Sequence, residues 1–368
     1  MRAATLSILS LSVAAFAVPV TPDCDTPGHG PAHPDGGVGL NGTAEYAASS
    51  DYDFQTLNLG VQQELLEMYL FHQGLANFTA EQFAADGLSA EDVHLIEHMA
   101  NQEVGHLRLL SDIVGPARTA KPCKYIFPYN TIQEWINLSR IFTAVGESGV
   151  FGFLQHLDSR ASSQLVGQAI ATESRQQQIF RQYQGLFPQP FYFVPAITQS
   201  MAWTLQSQYL ASCPKSNPRV KWQIFPTLNV TNTPNPNVLP DGSIPRPALS
   251  TNRTTVSAEG REIRLVWDNP GKKTGPDAAY VTSTNAGKPK FVAWISQLNT
   301  TYTPLTNISG NTGITLQPGG TIYGNNTFPT NNGTVYLLLT DHDLFVTPFN
   351  LSQIEPHVVA GPAIYTID

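Results

Sequence analysis

The chain has 368 residues, a length that suggests two or three domains, and a formal net charge of −8 from 20 basic and 28 acidic side chains. No basic stretch offsets that acidity, which argues against sequence-independent nucleic-acid binding, because such binding rests on neutralising phosphates. Charged residues make up 13% of the chain, about half the usual ~25%. With 28 glycines and 28 prolines, at least one large part is expected to be rich in loops or strands.

Met1-Arg2 precedes an apolar run from Leu6 to Ala17 that ends in Ala15-Phe16-Ala17. This pattern predicts a secretory signal peptide over residues 1–17, since the run is much shorter than the ~20 residues of a spanning helix. No later segment reaches that length, and residues 361–368 offer no hydrophobic tail for a lipid anchor. The expectation is a secreted protein, extracellular or in the cell wall, without a membrane anchor. Asn-x-Ser/Thr sequons at Asn41, Asn77, Asn137, Asn229, Asn252, Asn299, Asn307, Asn325, Asn332 and Asn350 agree with export and predict surface positions carrying sugar. In an oxidising compartment two of the three cysteines should pair. Cys123 and Cys213, which flank the helical region, are favoured over Cys24. Residues 18–50, rich in Pro, Gly and Asp without apolar periodicity, read as a disordered leader in which His29 and His33 are solvated.

Leu57, Val61, Glu64, Met68, Phe71 and Leu75 alternate at spacings of four and three, one face of a helix. Thr79 can cap a short helix, and Ser89-Ala-Glu-Asp92 opens a second long one that Gly115-Pro116 stops near Val114. Thr131-Ile-Gln-Glu134 is a capping box for a third, reaching about Leu157. A fourth spans about Ser159 to Tyr183 and a fifth about Pro195 to Leu210. Four long amphipathic helices with a crossover over 115–130 predict a four-helix bundle in residues 51–213. Beyond Cys213, short β-branched runs punctuated by Gly, Asn and Pro predict a β-sandwich or partial barrel over 214–368; they include Glu262–Trp267, Lys290–Ile295, Thr334–Leu339 and Val358–Ile367. The fold class is therefore α+β and multidomain.

Each long helix carries a carboxylate on its apolar stripe. Glu64 lies on the first. Leu95, Met99, Glu103, His106 and Leu110 share a face of the second, Thr143, Glu147, Val150 and Leu154 of the third, and Val166, Ile170, Glu173, Gln176 and Phe180 of the fourth. Carboxylates that converge away from water repel unless protons or cations neutralise them. Hard or borderline metal ions are one solution. A metal-free network, with Glu103 paired to His106 and Gln176 bonded to Glu173 or Glu64, is the other. Glu67 is an alternative to Glu64, on a less apolar stripe with Gly60 and Gly74. His94 and His98 read as surface residues, and His72 and His156 as boundary residues. Asp341-His342-Asp343 reads as a turn between strands rather than half a triad or a metal clip, and Trp222, Trp267 and Trp294 read as core rather than sugar platforms.

The string Leu57-Asn-Leu-Gly-Val-Gln-Gln-Glu64-Leu-Leu-Glu67, the Glu103-x-x-His106 helix, Gly146-Glu147-Ser-Gly149 and Ala171-Thr-Glu173-Ser-Arg-Gln176 resemble the ferritin-like-domain proteins of the desiccation- and stress-related group. The stretch from Gln176 to Phe187 and Met201-Ala-Trp-Thr-Leu205 are similar to its secreted fungal branch, which includes late-sexual-development and starvation-stress proteins. The resemblance covers residues 50 to 230. It implies Glu64, Glu103, His106, Glu147 and Glu173 as metal ligands, with iron or manganese as the ion. Gln176 stands where that pattern expects a second His, so the centre is expected to be weak, degenerate or empty. The function so implied is a secreted, glycosylated ferritin-like protein of fungal development or stress response. The alternatives are a non-catalytic extracellular or cell-wall protein, its β region binding wall polysaccharide or another extracellular protein, and an oxidase with a dinuclear centre.

Overall fold

A computed structural model describes residues 44–321 and 329–367. The predicted signal peptide, the leader up to residue 43, Cys24, Asn41 and Asn325 lie outside the described residues. Residues from Glu45 onward form one compact unit, and among the described residues no helix is long and apolar enough to cross a membrane.

Local sequence sets the helix starts. Helix α1 (Asp51–Asn77) begins six residues before the predicted apolar stripe, because Ser50 accepts a hydrogen bond from the Asp53 amide and Asp51 and Asp53 sit at the positive end of the helix dipole. Capping boxes at Thr79, Ser89 and Thr131 open α2 (Ala80–Ala85), α3 (Ala90–Val114) and α4 (Ile132–Phe153). Ser159 caps α5 (Arg160–Tyr183), and Thr198 caps α6 (Gln199–Gln206). α6 is shorter than expected, the chain tightening into a 3-10 turn over Ser207–Tyr209. Cys123 and Cys213 form the expected disulfide, beside the pairing of Lys124–Tyr125 with Leu210–Ser212.

α1 packs against α3, α4 and α6, so it buries residues on most of its circumference instead of one stripe. The glycines that made its second stripe look polar are points of close approach. A Cβ on Gly74 would lie 1.9 Å from the Trp135 indole, whose Nε1 donates to Leu70 O at 2.9 Å. On α3 Met99, Glu103 and Leu110 of the expected stripe are buried, but at its start Ile96 is buried and Leu95 is 36% exposed. His72 and His156, expected at the boundary, are exposed, as are His94 and His98.

The strand-rich region forms two four-stranded antiparallel sheets. One is ordered Leu228–Val230, Glu262–Trp267, Thr312–Leu316, Thr306–Ser309, and the other Val358–Ile367, Gly333–Thr340, Phe291–Ser296, Asn299–Pro304. Every residue of Gly333–Thr340 is buried, as expected for a strand covered on both faces. In register with one another, Leu337, Trp294 and Ala363 join Ile263, Leu265 and Trp267 in the core between the sheets. Their neighbours Tyr336 and Ile295 instead join Phe142, Val145 and other bundle residues. The layers run bundle, sheet, sheet. Polar contacts through Tyr336 and Arg140 tie the first two layers. Tyr336 Oη donates to Ala144 O at 2.8 Å. The buried Arg140 guanidinium donates to Gln184 Oε1 at 2.8 Å, Asn137 Oδ1 at 2.9 Å and Thr366 Oγ1 at 3.1 Å. Trp267 and Trp294 are core residues, and Trp222 is partly buried with Nε1 on Gln55 O.

Because the Trp135 indole fills the space beside Gly74, Gly74→Ala is expected to destabilise the protein by about 1–3 kcal/mol, read from urea denaturation. An unchanged midpoint would show that α1 and α4 do not approach this closely.

Candidate metal centre

Three helices build the site. α1 supplies Glu64 and Glu67 one turn apart, α3 supplies Glu103 and His106, and α5 supplies Glu173 and Gln176. The four glutamates are at most 5% exposed. Ligand atoms of Glu64, Glu103, His106 and Glu173 all lie within 4.8 Å of one another. His106 Nδ1 is at their centre, 3.1 Å from Glu103 Oε2, 3.5 Å from Glu64 Oε2 and 3.8 Å from Glu173 Oε1. Gln176 Nε2 donates to Glu103 Oε1 at 2.5 Å and to Gln102 Oε1 at 3.2 Å.

Thr172 Oγ1 lies 2.7 Å from Ala169 O and 2.9 Å from His106 Nε2. When its proton goes to Nε2, Nδ1–H donates to Glu103. When it goes to the carbonyl, Oγ1 accepts from Nε2–H, and Nδ1 faces the carboxylates as imidazolium, as the acceptor of a glutamate proton, or as a lone pair free for a cation. A histidine oriented through its other nitrogen in this way is the usual arrangement of an imidazole ligand.

Charge in the cluster is unbalanced. Burial first, then the neighbouring carboxylates, push Glu64, Glu67 and Glu173 well above the ordinary glutamate range. Burial opposes charging of His106, but Glu103 and Glu173 outweigh it and raise the imidazole. Glu64 Oε2, both oxygens of Glu67, Glu173 Oε2 and Gln176 Oε1 accept no hydrogen bond; Gln63 and Thr143 offset the burial of Glu67 only from beyond hydrogen-bond geometry.

Of the residues singled out in the sequence, Glu64, Glu103, His106 and Glu173 come together, and Gln176 touches them through Glu103. Glu67, carried there as an alternative to Glu64, is present in addition, felt by Glu173 and itself raised by Glu103 and Glu64. Glu147 lies apart from the group. It is buried near Ser174 and Arg181, and burial pushes its carboxyl up to about 7 against the pull of both. The α4 residue beside Glu173 is Gly146, where a Cβ would sit 2.6 Å from Glu173 Oε2. α4 thus adds no carboxylate to the group. The space left by Gly146, Gly149 and Gly60 opens into a cavity of about 30 Å³ beside Glu64 and Glu173, room for about two waters.

This arrangement, carboxylates and a Glu-x-x-His on facing helices of a bundle, defines a ferritin-like carboxylate site, and residues 52–186 match the ferritin-like domain family. The chain belongs to the ferritin-like-domain proteins. Over 343 residues, 90% of this chain and 85% of the other, it is 43% identical to protein rds1 of Schizosaccharomyces pombe, so the likeness runs well into the strand-rich region.

Raised glutamate and histidine values have one consequence for stability. The folded state holds protons that the unfolded state releases, so the stability these groups contribute is fully present below the ordinary glutamate value of 4.5 and is lost as pH rises through the folded values. Metal-stripped protein is expected to lose that contribution, and to melt at lower temperature, as pH rises above 4.5. Glu67→Gln should flatten that slope, each unit of upward shift removed being worth about 1.4 kcal/mol. A midpoint that rises with pH would contradict the charge assignment.

Proposed function

We propose that the protein is exported and glycosylated, and that its bundle holds iron or manganese weakly through Glu64, Glu103, His106 and Glu173. The reading rests above all on His106 Nδ1, aimed at three carboxylates while Nε2 is tied to Thr172. Orphaned buried oxygens support it, since an oxygen-rich set with one imidazole suits hard or borderline ions. A bound ion would neutralise the carboxylates and supply a redox couple. This chain's residues orient the imidazole, and Gln176 in place of a second histidine weakens the grip. A role in fungal development or stress follows only from the motif resemblance. Elemental analysis of protein secreted from iron- and manganese-replete culture should find iron or manganese that Glu103→Gln with His106→Gln lowers by the bundle's share. A wild type whose iron and manganese content equals that of this double variant would remove the reading.

The bond from Gln176 to Glu103 favours a second reading, a metal-free scaffold. Its strand-rich region would bind wall polysaccharide or an extracellular protein.

Export is supported by sequon exposure. Asn229, Asn299 and Asn307 are exposed, as is Asn77, whereas Asn137 is partly buried and accepts from Arg140 and Gln184. Asn332 donates to Pro190 O. Glycopeptide mass spectrometry of secreted protein should find sugar on Asn229, Asn299 and Asn307 and none on Asn137. An unmodified secreted chain would contradict glycosylation.

A further inference from the structure

The acidic-histidine turn after the strand Gly333–Thr340 is more than a turn. Asp341 is brought against His357, sixteen residues further on, because the pairing of Thr340 with Val358 continues one step beyond the strand, with the Asp341 amide donating to His357 O at 3.2 Å. Asp341 Oδ1 lies 2.8 Å from His342 Nδ1 and 2.9 Å from His357 Nδ1. The two imidazole rings are 4.6 Å apart and steeply inclined. Asp343, the other acid of the motif, is not part of this group.

The second carboxylate oxygen is fixed separately. Asp341 Oδ2 accepts from the Gly287 amide at 2.6 Å, which leaves Oδ1 as the atom presented to both rings. Side-chain exposure rises from 12% at Asp341 through 30% at His357 to 55% at His342, so the group is anchored on its acidic side and open on the other.

We propose that Asp341 Oδ1, His342 Nδ1 and His357 Nδ1 form a second metal site, for one divalent transition ion of the zinc class, at the solvent edge of the sheet next to the bundle. Two imidazoles and one carboxylate are a donor set suited to such ions. The oxygen-to-nitrogen separations of 2.8 and 2.9 Å are shorter than the ~3.4 Å between ligands of a tetrahedral ion bound at about 2.1 Å, so the two rings open by about half an ångström to admit it. Binding displaces the two Nδ1 protons, and the exposed side leaves positions for water. Two strand ends locked in register position the ligands beforehand. The site shares no residue with the bundle cluster, so either can fail without the other.

The test uses the full secreted chain, stripped with chelator and titrated with Zn²⁺. Bound equivalents should fall by one in His342→Gln with His357→Gln, and one equivalent should persist in Glu103→Gln with His106→Gln. His342→Gln alone, at the most exposed ligand, should weaken that equivalent at least tenfold while leaving the metal-free melting temperature unchanged. In the wild type, saturating Zn²⁺ should protect His342 and His357 from diethylpyrocarbonate, read by peptide mass spectrometry, while exposed His94 stays reactive. Full reactivity of both histidines at saturating Zn²⁺, or unchanged stoichiometry in the double variant, would overturn the site.

Discussion

Four glutamate side chains kept from water around a single imidazole set the terms for the helical half of this protein. Burying one carboxylate without a partner is costly, and burying several together adds mutual repulsion. The helices that hold them are therefore constrained from outside. α1 is enclosed by α3, α4 and α6, and the sheet containing Gly333–Thr340 covers the bundle through Tyr336 and Arg140. A cluster with this charge can persist only where such packing offsets its repulsion, or where protons or an ion neutralise it. The same enclosure suits the site to a cation, because an ion would enter a preassembled set of oxygens and release the protons that burial has forced onto them.

The enclosing sheet also explains why helices and strands act as one body. Alternate residues of its central strand point to different partners, Leu337 to the second sheet and Tyr336 to α4. A strand of this kind leaves no solvent-facing side, and its ends become the places where polar chemistry can sit. Asp341 and His357 occupy one such end.

Much of this was legible in the sequence. Capping residues located the starts of α2, α3 and α4, and turn residues bounded the strands Glu262–Trp267 and Val358–Ile367 to the residue. What escaped was set by neighbours distant in the chain. A single-stripe reading of α1 assumes one covered face, and Gly60 and Gly74 scored as polar where they make room for Leu110 and Trp135. For that reason Glu67 looked like the weaker candidate. On α4 the spacing put Glu147 inward, and it is buried, but outside the cluster; the surface that meets Glu173 is Gly146, a residue with no side chain to signal its role. The pairing of Asp341 with His357 depends on strand register, which a local motif does not encode.

Anomalous scattering from crystals grown with Mn²⁺ tests the central claim most directly. The account requires a peak within about 2.2 Å of His106 Nδ1 and of oxygens from Glu103, Glu173 and Glu64, with Nε2 still on Thr172. A map without that peak at saturating Mn²⁺, with His106 Nδ1 resting on Glu103, would contradict it.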